Sequence, residues 1–124
     1  MAAQPSRPHP EGRGLAVALN KALADAGVTP AQTDLVTAFG AGLREHDRSE
    51  AAAIRTVFAA RSAPVPVMSI KAGLGNSGAG SGAIDFIAAV LAVHHGTIPP
   101  AINSMPADPE CGLNVIANGP VDAS

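Results

Sequence analysis

Five glycines fall between Gly73 and Gly82, directly after the apolar stretch Val65-Pro66-Val67-Met68-Ser69-Ile70 and directly before the apolar run Ala83 to Val93. A glycine-rich turn from a strand into a helix brings the two backbones close, and such units build layered α/β folds. The rest of the chain alternates in the same way. Leu15, Ala18, Leu19, Ala22, Leu23 and Ala26 recur at helical spacing, and Gly27 stands where a left-handed cap is wanted. Thr29-Pro30 with Gln32 predicts a capped helical turn, and Leu35 to Phe39 a short buried strand closed by Gly40-Ala41-Gly42. Asp47 and Glu50 have capping-box spacing, ahead of a helix over about Ser49 to Ala60. The next strand contains Pro66, which lacks an amide donor and is expected at the strand's start or on an edge. The helix after the glycines, ended by Gly96, is expected to carry Ile84, Ile87, Leu91 and His94 on one side. A proline-rich connection and a final strand, Leu113 to Ala117, come next. The fold class is α/β, with helices layered on a short, mainly parallel sheet.

The core must be built from small parts. Of 124 residues, 26 are Ala, 13 Gly and 11 Pro, and Phe39, Phe58 and Phe86 are the only aromatics. Each buried side chain removes little area from water, so the chain alone is expected to be marginal in stability. A net charge of -2, with scattered Lys and Arg, lacks the footprint of a nucleic-acid binder. The run Ala83 to Val93 is too short to span a membrane and is interrupted by Asp85. Residues 1–13, rich in Pro and polar groups, are expected to form a flexible tail rather than an export signal. The single cysteine, Cys111, fits a reducing cytoplasm.

Gly73-x-Gly75-x-x-Gly78 has the setting of a dinucleotide fingerprint, but no acid for the ribose occurs between it and Asp108 at the expected distance. A dinucleotide-binding module is therefore the lesser alternative, and glycines that allow close packing are preferred. No Gly-Lys-Ser/Thr comes after the loop, which excludes a P-loop. His94-His95 lie in a last helical turn, where they complement the helix terminus, and no partners are spaced for a metal. Cys111 has no neighbouring base and reads as a packed thiol. No cofactor is implied. Asp47 and Glu50 are helix-start residues on their spacing alone.

Taken in chain order, the segments resemble the β-ketoacyl synthase family. Asp34 to Leu43, with Asp47, Glu50, Ala51, Ala53 and Ile54 after it, is similar to that family's His-Gly-Thr-Gly-Thr block, and Pro66 to Lys71 with Gly75-Asn76 to its Lys-Ser-x-x-Gly-His block. Gly96 to Asn103 and Asp108-Pro109-Glu110-Cys111 resemble the segments that the family carries downstream of that second block. The resemblance covers Gly14 to Ala117 and implies a partial thiolase-like fold: residues 14–124 would be an incomplete C-terminal β-ketoacyl synthase domain. The half with the nucleophilic cysteine and the closing glycine-rich strand pair have no counterpart here.

The resemblance implies that two catalytic histidines are replaced, by Phe39 and Asn76. In the family these histidines hold the thioester carbonyl during malonyl decarboxylation and condensation; phenylalanine can neither donate nor accept a hydrogen bond, whereas asparagine can still donate. Lys71 and Glu50 match positions that form a supporting ion pair, and Asp47 is retained beside them. Gly40-Ala41-Gly42, with Ala where the family has Thr, resembles chain-length factors. The implied function is a fragment of fatty-acid or polyketide assembly, non-catalytic alone, with a ketosynthase subunit or the missing N-terminal half and an acyl carrier protein as partners. The alternative is one piece of a split or truncated condensing enzyme.

Overall fold

The structure, a computed structural model, describes residues 7–122. Its centre is a parallel sheet of three very short strands in the order β1 (Val36–Thr37), β2 (Pro66–Met68) and β4 (Asn114–Val115), with Val36 opposite Val67 and Val67 opposite Val115. Pro66 opens the central strand, the one position there that needs no amide donor. Two strands not foreseen from the sequence, β3 (Thr97–Ile98) and β5 (Val121–Asp122), pair antiparallel beside this sheet. At two residues each they are too short for an alternating pattern to register.

Side chains alternate along the strands, and both faces are covered by helices, as parallel strands require. Val67, Ala38 and Val65 face α2 (Arg44–Val57), packing with Ile54, Val57 and Phe58. Outside α2 lies α1 (Arg13–Ala26), which contributes Ala16, Leu19 and Leu23 to this cluster. Met68 and Ile116 face the other way, onto Ile98 and onto Ala88, Ala89 and Ala92 of α4 (Ser81–His95). The result is an α/β/α sandwich.

Gly27 closes α1 in the left-handed region, as expected. Thr29 and Gln32 also meet, the Thr29 amide donating to Gln32 Oε1 at 2.9 Å. Arg61 then clamps this connection by donating to the carbonyls of Pro30 and Thr33 at 2.8 and 2.7 Å.

Four expectations need correction. Helix α2 begins at Arg44, with Leu43 at its N-cap and no side-chain cap, so Asp47 and Glu50 form no capping box. Their carboxylates face the sheet side instead. The glycine segment does not run straight into a helix: one turn, α3 (Lys71–Leu74), and a 3-10 turn over Gly78–Gly80 intervene. Helix α4 buries Ser81 and Ala92 and leaves Ile87, Leu91 and His94 exposed, because its own sheet takes the small residues. Finally, part of the segment expected to be a flexible tail is docked. Ser49 Oγ donates to the His9 carbonyl at 2.7 Å, and Gly12 is buried against α2. Residues 1–6 of that segment lie outside the described residues.

Gly12 has φ +59° and a Cβ there would meet Ser49 O and stand 2.8 Å from Ala53 Cβ. Gly12→Ala should therefore lower stability by about 2–4 kcal/mol, combining the left-handed penalty with overpacking. Urea unfolding followed by circular dichroism measures it; a change near zero would show that this docking does not contribute to the fold.

Candidate functional site

The loop after β1 is held from α2. Glu50 Oε1 accepts from the Phe39 amide at 2.7 Å and Oε2 from the Gly40 amide at 3.0 Å, so one carboxylate fixes two successive peptide units. Gly40 suits this turn: its φ is +53°, in the left-handed region that favours glycine, and a Cβ would press on the Ser69 side chain.

Lys71 is buried at the start of α3, with its side chain 7% exposed. Its ammonium contacts Asp85 Oδ2 at 2.5 Å, and the Phe39 ring covers it at 4.7 Å from the ring centroid. This corrects the expected Lys71–Glu50 pair. Both Glu50 oxygens are taken by backbone amides, and the acid that neutralises Lys71 comes from α4. A signal for it was present in the sequence: Asp85 is the sole acid inside an apolar helix, and a buried cation needs a counter-charge.

Asn76 is bonded into the turn that precedes α4. Its Oδ1 accepts from the Gly78 amide and from Ser81 Oγ, both at 2.9 Å, while Ser81 Oγ accepts from the Ser77 amide at 3.0 Å. These contacts build the turn that enters α4. They also occupy the Ser77 and Gly78 amides, which a pyrophosphate would need, so the geometry argues against a dinucleotide site.

Asp47 lies one turn before Glu50 on α2. It borders a cleft of about 380 Å³ with Ala38, Glu50, Val67, Cys111 and Val115, and its Oδ1 is buried with no hydrogen-bond partner among the described residues. Cys111 is half-buried there, and burial first, then the charges of Asp108 and Asp47, push its thiol pKa upward. Asp108 itself is held below the usual carboxylate range, chiefly by the Arg48 guanidinium at 2.9 Å. His94 and His95 sit edge to face, 4.9 Å between ring centroids, at the exposed end of α4. Among the described residues no three His, Cys, Asp or Glu side chains converge as a metal site, and no helix is long and apolar enough to cross a membrane.

The structure thus joins Phe39, Glu50 and Lys71 and adds Asp85, while Asn76 is engaged in the turn before α4. A family model described as "Beta-ketoacyl synthase, C-terminal domain" matches residues 2–105. The chain belongs to this family. The ketoacyl synthase alpha subunit of the tetracenomycin polyketide synthase of Streptomyces glaucescens is 39% identical over 109 residues, covering 88% of this chain and 26% of that protein. The structure of the ishigamide ketosynthase/chain length factor superposes with a TM-score of 0.87 at 38% identity, covering 97% of this chain and 29% of its own. A type II polyketide synthase acyl-carrier protein in complex with its ketosynthase bound to the hexaketide gives a TM-score of 0.87 at 29% identity, covering 94% and 28%. The chain thus corresponds to part of the thiolase-like ketosynthase fold and spans about a quarter of the length of the curated relatives it matches.

In this cluster, Lys71→Met strands Asp85 and should cost about 3–5 kcal/mol, while Lys71→Met with Asp85→Leu should be less harmful than the single change. Equilibrium unfolding of the three proteins decides it, and additive losses would disprove the coupling. Cys111 should react with a disulfide reagent at neutral pH several-fold more slowly than free cysteine, because little thiolate is present. Asp108→Asn should speed that reaction; an unchanged rate would mean the acidic neighbours are irrelevant.

Proposed function

We propose that the chain is a non-catalytic ketosynthase-like partner, comparable to a chain-length factor, in polyketide or fatty-acid assembly. The observation that carries this reading is Phe39, which stands where the resemblance places a catalytic histidine and has its ring against the Lys71 ammonium. Condensation requires hydrogen-bond donors aimed at a thioester oxygen as it gains charge. Phe39 has none. The nearest cation is Lys71, engaged with Asp85 inside the protein. Asn76, at the second histidine position, directs its carbonyl oxygen into the turn before α4.

Residues 14–124 then act as part of a C-terminal synthase domain. Its partners would be an active ketosynthase and an acyl carrier protein, which are proteins of the kinds named in the similar structures. Glu50 holds the Phe39–Gly40 loop in shape although the chemistry is lost, which suits a protein whose surface and cavity matter more than turnover. The lone Cys111 supports a reducing, cytoplasmic setting.

A second reading is favoured by the 39% identity to a ketoacyl synthase alpha subunit: one piece of a split condensing enzyme whose cysteine half comes from another chain. Reconstitution separates the two. An intact ketosynthase with malonyl-loaded acyl carrier protein should change its distribution of product lengths when this chain is added, and Phe39→His should leave the isolated chain without malonyl decarboxylation. Turnover on mixing with a cysteine-bearing N-terminal half alone would favour the split enzyme and overturn the partner reading.

A further inference from the structure

Helix α2 reaches the connection between β3 and β4 with two arginines. Arg48 Nε donates to Asp108 Oδ2 at 2.9 Å, and its Nη1 lies 2.6 Å from Glu110 Oε2. Two turns further along the helix, Arg55 Nη1 donates to the carbonyl of Glu110, at 2.9 Å, and to that of Cys111. Apart from a local bond from Ser104 Oγ to the Ala101 carbonyl, these are the hydrogen bonds and ion pairs that tie residues 104–111 to the rest of the described residues. The other bonds of the segment are internal. The Glu110 amide donates to Asp108 Oδ1 at 2.9 Å and the Cys111 amide to the Asp108 carbonyl at 3.0 Å. Left-handed residues bound the segment at both ends, Asn103 with φ 57° and Gly112 with φ 56°. Pro106 and Pro109, whose φ is fixed by the ring, stiffen what lies between. A stiff unit between two such positions turns about its ends, where the backbone rotation is absorbed. Ser104, Ala107, Asp108 and Cys111 form one wall of the cleft that Asp47 and Glu50 border from α2.

We propose that residues 104–111 are a hinged wall of this cleft, pivoting at Asn103 and Gly112 and latched to α2 by Arg48 and Arg55. The latch uses two chemistries. Arg48 holds carboxylates, so its grip weakens with salt, whereas Arg55 holds main-chain carbonyls and fixes the path of the backbone itself. Releasing either arginine swings Cys111 away from α2, widens the cleft and bares the thiol. The device rests on contacts within this chain and is independent of the partner role.

Cys111 reports the state of the wall, and charge can be separated from access there. Both arginines favour its thiolate, so their removal by itself slows thiol chemistry at neutral pH. Opening the wall has the opposite sign. The reaction of the whole chain with an uncharged disulfide reagent is measured against pH, with urea unfolding in parallel; the plateau at high pH, where the thiol is fully ionised, reads access alone. Arg48→Gln and Arg55→Gln should each raise that plateau about fivefold or more, and Arg48→Lys should fall between Arg48→Gln and the unaltered chain. Raising salt from about 0.05 to 0.5 M should raise the plateau of the unaltered chain but not that of Arg48→Gln, an arm that needs no variant to fold. Arg61→Gln, which frees the connection near Pro30 instead, should leave the plateau unchanged. A plateau indifferent to both glutamine variants and to salt, one raised equally by Arg61→Gln, or one rising only in step with lost urea stability would each overturn the proposal.

Discussion

The ion pair between Lys71 and Asp85 sets the geometry of half the molecule. Charges this deeply placed cannot be left unpaired, so α4 is obliged to turn Asp85 toward the start of α3. Once that angle is fixed, helical periodicity settles everything else on the helix. Residues 88 and 92 fall against the sheet, where alanines permit a close approach to Met68 and Ile116, and residues 86, 90 and 93 fall on the far side. The Phe39 ring rests on the same ammonium, so the loop after β1 is oriented by this pair as well as by Glu50. One buried charge pair thereby links a loop from each of two strands to the helix on one face of the sheet.

The alternation of helix and strand was legible because α1, α2 and α4 carry long enough patterns, and Gly27 and Gly96 mark two of the helix ends. The parallel three-stranded sheet is a consequence of that alternation. What the pattern misread was the inward face of α4. Hydrophobicity alone ranks Ile87 and Leu91 above Ala88 and Ala92 as core residues, but a helix on a sheet of two- and three-residue strands packs by closeness rather than by side-chain size. The only reliable orienting signal on that helix was polar, Asp85. Similarly, the Asp47 and Glu50 spacing matched a capping box, yet three more residues of helix precede Asp47, and the carboxylate of Glu50 serves another loop. The positions at the heart of the candidate site, Phe39, Glu50 and Lys71, were identified by resemblance; their wiring was not, since which acid meets Lys71 depends on a contact across 14 residues of chain.

The two faces of the sheet differ in kind. On the α2 side, Ile54, Val57 and Phe58 form a core with ordinary large side chains, over which α1 lies as an outer cover. The α4 side is thinner, with alanines as the helix contribution. Substitutions on the first side act on folding, whereas many on the second act only on whatever adjoins α4.

Pro66 at the head of the central strand has a further effect. With ladders only two or three residues long, backbone bonds between strands specify alignment weakly. The sheet's in-register bonds include Ala38 N to Met68 O and Ile116 N to Val67 O. Sliding β2 by one residue so that Pro66, now opposite Asn114, took the place of Val67 would put a ring where an amide hydrogen belongs, and would carry Val67 and Met68 to each other's faces. Proline thus acts as a mechanical stop: a sheet too short to measure its own alignment has one of its two possible slips blocked by covalent structure.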